Sequence, residues 1–120
     1  MATFQLPDWL LGRWVLNEWI VTHQGNTTTF PAGAGPIQIA LTLAFARGST
    51  TYEYGGGPVA ADWGEIVSAG SGSVKIGLWP TNVPSLPATI APTAKGIVVE
   101  FSHTIWGNEP SDFKAFYGPA

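Results

Sequence analysis

There is no cysteine anywhere in the chain. Disulfides and thiolate chemistry are thereby excluded, and with them the small secreted scaffold that depends on disulfide staples. Charge is nearly as scarce: Asp, Glu, Lys and Arg together make up 11% of the 120 residues, against about a quarter in a typical soluble protein. The five basic residues, Arg13, Arg47, Lys75, Lys95 and Lys114, stand singly in a chain of net charge −3. No basic stripe exists to neutralise phosphates, so a nucleic-acid partner is not expected. No apolar run approaches the roughly 18 residues of a membrane-spanning helix. The opening Met1-Ala2-Thr3-Phe4-Gln5-Leu6-Pro7-Asp8 has neither a basic nor an apolar signal region. The expectation is a cytoplasmic protein, with a mature secreted form left open. Helical periodicity is also missing, apart from one expected turn from Pro7 to Leu11, begun by proline and ended at Gly12.

What remains is a β-rich pattern cut into short pieces by 15 glycines and 10 prolines. The length suits a single domain over residues 1–120. Alternation or short apolar runs predict strands over 13–23, 27–30, 37–47, 49–54, 59–69, 74–79, 96–106 and 112–117. A bulge is expected at Gly64 within the fifth of these. Residues 80–92 hold four prolines and read as a long loop with at most one short edge segment. About eight strands joined by hairpins predict an all-β fold: a single antiparallel up-and-down β-barrel with a short N-terminal helical turn. Closure removes the edge strands that a charge-poor chain is badly equipped to protect.

One segment carries a resemblance. Leu10-Leu11-Gly12-Arg13-Trp14, placed after a turn and at the start of the first strand, resembles the Gly-X-Trp opening of lipocalins and lipocalin-like (calycin) barrels. The resemblance implies that an N-terminal turn caps the barrel floor, that Trp14 packs across it, and that the strands surround a ligand cup. The short length and absent cysteine fit the looser intracellular barrels of this kind. Some of those act in natural-product biosynthesis as cyclases that fold a flexible substrate in the cup.

Strict alternation along the first strand puts Trp14, Leu16, Glu18, Ile20 and Thr22 on one face. It puts Arg13, Val15, Asn17, Trp19, Val21 and His23 on the other. If Trp14 points inward, Glu18 does too. An ionised carboxylate in an apolar lumen must pair or hold its proton, and such a group can act as general acid or base. A bulge or one-residue register change would turn it outward instead. His103 shares the Ile97, Val99, Phe101 face and is the second candidate for proton transfer or ligand orientation; a satisfied core histidine is the alternative. His23 is expected at the rim or exposed. Leu16, Ile20, Leu41, Leu43, Tyr52, Tyr54, Trp79, Phe101 and Tyr117 are the expected ligand-binding residues. Trp63 and Trp106 join Trp79 as candidate aromatic walls, with barrel packing the alternative for each.

Two histidines without a carboxylate pattern give no metal site, and no phosphate-binding glycine loop or nucleophile elbow is present. No cofactor is expected. The favoured function is binding of a small apolar or amphipathic molecule, with a cofactor-independent cyclase or isomerase activity as its enzymatic form. A passive carrier and a carbohydrate-binding β-protein are the alternatives, and the low charge suggests a homodimer.

Overall fold

A computed structural model describes residues 5–35, 39–55, 62–78, 86–106 and 108–120. Nine strands appear among them: β1 (Gly12–His23), β2 (Asn26–Pro31), β3 (Thr42–Phe45), β4 (Thr51–Gly55), β5 (Asp62–Ala69), β6 (Val74–Leu78), β7 (Leu86–Pro92), β8 (Ile97–Trp106) and β9 (Glu109–Pro119). All pairings are antiparallel. β1 and β3 to β9 follow one another around the sheet, and β9 returns to β1. Eight strands therefore close into a barrel. β2 is an extra strand on the same edge of β1 as β3: β3 pairs with 12–15 and β2 with 18–23.

No helix occurs among the described residues, which corrects the expected helical turn. Pro7 to Leu11 instead makes two tight-turn bonds, Leu10 N–H to Pro7 C=O (3.0 Å) and Leu11 N–H to Asp8 C=O (3.3 Å). Gly12 follows with φ of +113° and begins β1, so the chain leaves the helical region at once. This segment nevertheless closes one end of the barrel. Leu6 and Leu10 are buried, and the buried Trp14 indole N–H donates to Leu10 C=O at 2.8 Å. The Trp9 indole N–H reaches Ser71 C=O in the β5–β6 turn at 2.8 Å. Arg47 in the β3–β4 turn pairs with Asp8 at 2.9 Å, an exposed contact that contributes little to stability.

β1 does not alternate throughout. Its register against β9 shifts between Leu16 and Glu18, and Asn17 is the extra residue of a bulge. Leu16 is buried, Asn17 and Glu18 are both exposed, and burial resumes at Trp19 and Val21. The inward set is thus Trp14 and Leu16 before the bulge and Trp19, Val21 and His23 after it. The expected inward position of Glu18 is overturned. Ile20 is turned outward as well, opposite the exposed Lys114.

Other boundaries moved for identifiable reasons. The strand expected over 37–47 is limited to Thr42–Phe45; positions 37 and 38 lie outside the described residues. The bulge expected at Gly64 sits instead between Ile66 and Ser68, leaving Val67 57% exposed. Gly64 has a different role. The Tyr52 ring lies directly over it, and any Cβ there would overlap the ring. β7 occupies most of what reads as a proline-rich loop. Its N-terminal half, including Pro87, pairs with β6 alone, because pairing with β8 begins only at Thr89. A proline is tolerated where one edge has no partner.

Candidate functional site

β1, β8 and β9 lie side by side, and their inward side chains form cross-strand rows. Starting nearer the floor, the rows are Leu16–Tyr117–Ile97, Trp19–Ala115–Val99 and Val21–Phe113–Phe101. All nine side chains are buried. Phe101 and Phe113 stack with centroids 4.8 Å apart and planes 3° from parallel. Trp19 continues the aromatic series, 5.9 Å from Phe113 and 4.6 Å from Phe30 on β2. Its indole N–H donates to Ala34 C=O at 3.0 Å, so the chain leaving β2 folds back over it.

The fourth row is polar. Ser111 on β9 is opposite His103 on β8 and bonded to His23 on β1, His23 Nδ1 to Ser111 Oγ at 2.7 Å. Ser111 is 0% exposed and, apart from the buried tyrosines and tryptophans, is the one buried residue with a polar side chain among the described residues. Both histidines are half-buried. The local sequence explains the arrangement. Alternation from Phe113 requires an inward residue at 111, and serine is small enough to fit between two imidazoles. The Asn17 bulge brings His23 to the same side. Gln24, at φ of 50°, opens the tight β1–β2 turn, and its amide donates to the Glu109 carboxylate at 3.1 Å, tying that turn to the start of β9.

The Ser111–His23 bond has two forms. Either the serine hydroxyl donates to an unprotonated Nδ1, or a protonated Nδ1 donates to Oγ and leaves the hydroxyl hydrogen free for another acceptor. The row can therefore present a donor or keep it internal.

The two buried tyrosines are committed elsewhere. Tyr52 O–H donates to Gly77 C=O at 2.7 Å, reaching across β5 to β6. Tyr117 O–H donates to Ala40 C=O at 2.6 Å. Burial pushes both phenols well above their ordinary value, with smaller contributions from Tyr54 on Tyr52 and from Tyr52 on Tyr117. Both stay neutral donors, with the hydrogen fixed on a backbone carbonyl.

Of the expected ligand-binding residues, Leu16, Leu43, Tyr52, Phe101 and Tyr117 are buried core residues, while Leu41 and Tyr54 pack half-buried against that core. Ile20 faces out. Trp79 lies outside the described residues, as do the side chains of Trp63 and Trp106. His103 points inward as expected, but Glu18 is not beside it. The residues that do accompany it, Ser111 and His23, were not anticipated. One sequence signal pointed to them: in β1 the large apolar residues occur at 14 and 16 and then at 19 and 21, a change of phase that only a bulge reconciles.

Among the described residues there is no group of three or more His, Asp or Glu side chains fit to hold a metal ion, and no helix long and apolar enough to cross a membrane. No family model, curated protein or solved structure matches the chain.

Proposed function

We propose that this barrel binds one small, largely apolar molecule at its histidine end, in the manner of the lipocalin-like proteins that the Gly12-Arg13-Trp14 opening resembles. The observation that carries the reading is the difference between the two ends. The floor is plugged by Leu6 and Leu10 and fastened by the Trp14 and Trp9 indoles. The opposite end, where β1, β4, β6 and β8 all finish, carries a polar row directly above stacked aromatics. Ligand sites combine an apolar wall with a few placed polar groups in this way, and an eight-stranded barrel has room inside for side chains or one small ligand.

Native mass spectrometry of freshly purified protein tests this reading. The expected result is an adduct of one small molecule per chain, released by organic solvent and lost when Phe101 is replaced by Ala. Apo protein that also fails to take up a fluorescent apolar probe contradicts it.

A second reading is a cofactor-independent cyclase or isomerase. The His23–Ser111 bond favours it, because it couples an imidazole to a hydroxyl beside an apolar wall, where a proton could be exchanged with a bound substrate. It differs from passive binding in one outcome: the extracted molecule, returned to the protein, is converted to an isomer. Carbohydrate binding has less support. Trp14 and Trp19 are buried, and the exposed large apolar side chains among the described residues are Val15 and Val67, neither aromatic.

A further inference from the structure

We propose that β2 is a self-association edge: two copies of this chain pair antiparallel along residues 26–30, about a twofold axis at Thr28. The barrel closes through β1 and β3 to β9. β2 stands outside that closure, with β1 as its one partner strand among the described residues. The turn before it sets which of its backbone groups are used. Gln24 and Gly25 both have positive φ, 50° and 82°. This is the two-residue hairpin turn whose flanking residues, His23 and Asn26, exchange both main-chain hydrogen bonds. Alternation then gives the N–H and C=O of Asn26, Thr28 and Phe30 to β1. It turns those of Thr27 and Thr29 to the outer edge. The Thr22 and Thr27 hydroxyls are 3.1 Å apart, the close approach of a pair without main-chain bonds between its members. Thr27, Thr28 and Thr29 are all exposed. Pro31 C=O accepts from Ala34 N–H at 3.1 Å, so the open edge ends there.

Native sheets blunt such an edge with charge, proline or a bulge. The start of β7, paired on one side only, holds Pro87. β2 has none of these devices before Pro31. Its register against β1 is unbroken, and residues 19–46 form the longest stretch of the chain without Asp, Glu, Lys or Arg. The occupant is a second copy because the edge is complementary to itself. Thr27-Thr28-Thr29 reads the same in both directions. An axis at Thr28 sets Thr27 against Thr29 of the second copy, and Thr29 against Thr27 of the second copy. The outward N–H and C=O groups of both copies are then all bonded. Thr28 meets its own counterpart on the axis. A twofold contact sets each residue's charge against its own copy; here there is no charge to repel, and cross-strand threonine pairs are favourable. An unrelated extended peptide would gain the same main-chain bonds. Selection among peptides needs side-chain pockets beside the edge, and β2 presents short threonine side chains instead.

Sedimentation equilibrium of the full chain, over concentrations from micromolar to millimolar, tests the proposal. The expected result is a reversible monomer–dimer equilibrium. Thr29→Pro deletes an outward N–H and leaves the bonds to β1 in place. Thr28→Lys sets like charges against each other on the axis. Each is expected to weaken the dimer at least about tenfold while the circular dichroism of the parent is kept. Because the chain has no native cysteine, Thr28→Cys locates the axis. Opposed Cα atoms in such a pair lie about 4.5 Å apart, within disulfide reach. Mild oxidation is expected to link Thr28→Cys into a covalent dimer faster than Thr27→Cys or Thr29→Cys. A chain that stays monomeric at the highest concentration overturns the proposal. So does a dimer that Thr28→Lys leaves intact, or one whose fastest crosslink is at position 27 or 29.

Discussion

At the floor of the barrel, the buried Leu6 and Leu10 are carried by a segment that belongs to no strand. At the opposite end, Ser111 is buried on β9, opposite His103 and bonded to His23. The floor closes with apolar volume and with indole N–H groups donating to backbone carbonyls. The histidine end carries groups that can exchange hydrogen-bond partners. The N-terminal segment adds apolar volume at the floor, while a polar row tops the apolar rows of β1, β8 and β9. Each fully buried large apolar side chain contributes about 1.5–3 kcal/mol. A half-buried imidazole contributes less.

The largest effect expected from breaking this contrast lies at the floor. Leu10→Ala removes a fully buried side chain and should cost about 2–5 kcal/mol in urea unfolding, whereas His103→Ala should cost about 1 kcal/mol or less. Equal losses at the two ends would end the distinction.

The next effect concerns the tyrosines between the ends. Their folded-state pKa values are raised, so their contribution is complete below the unfolded tyrosine value of about 10. It is lost as pH rises above that value, because the unfolded chain ionises while the buried phenols stay protonated. Two such groups should lower stability by about 2.7 kcal/mol per pH unit above about pH 10. Tyr117→Phe should roughly halve that slope. It should also cost about 1–3 kcal/mol at neutral pH, since the Ala40 carbonyl loses its donor. An unchanged alkaline slope would show that Tyr117 is not sealed.

The smallest effect is at Glu18. Replacement by Gln should change stability by no more than about 0.5 kcal/mol, because the carboxylate is on the outer face. A large loss of stability would place it inside after all.

How much of this could be read from the chain differs element by element. β1, β2, β8 and β9 were legible because their alternation is long or their turns are marked by glycine and asparagine. The inward face of β8 was legible to the last histidine, because nothing interrupts its period from Ile97 to His103. β7 was hidden by Pro87, since one-sided pairing is a tertiary circumstance that no local pattern reports. Tyr52 and Tyr117 were read as ligand groups because a phenol on an inward face looks the same whether its hydroxyl is free or bonded. Only the fold brings Gly77 and Ala40 to them. The candidate site suffered most from one residue. Strict alternation through Asn17 exchanges Glu18 for His23, so the same strand yields a buried acid in one phase and a histidine bonded to serine in the other.

That phase can be measured directly, because the native chain has no cysteine to interfere. Single cysteines placed at positions 16, 17, 18, 19 and 21 report accessibility through their rate of reaction with a thiol reagent under native conditions. The bulge predicts two adjacent reactive positions, 17 and 18, with 16, 19 and 21 protected until the protein unfolds. Protection at 18 with fast reaction at 17, 19 and 21 would mean unbroken alternation, a carboxylate inside the barrel, and no place for His23 beside Ser111.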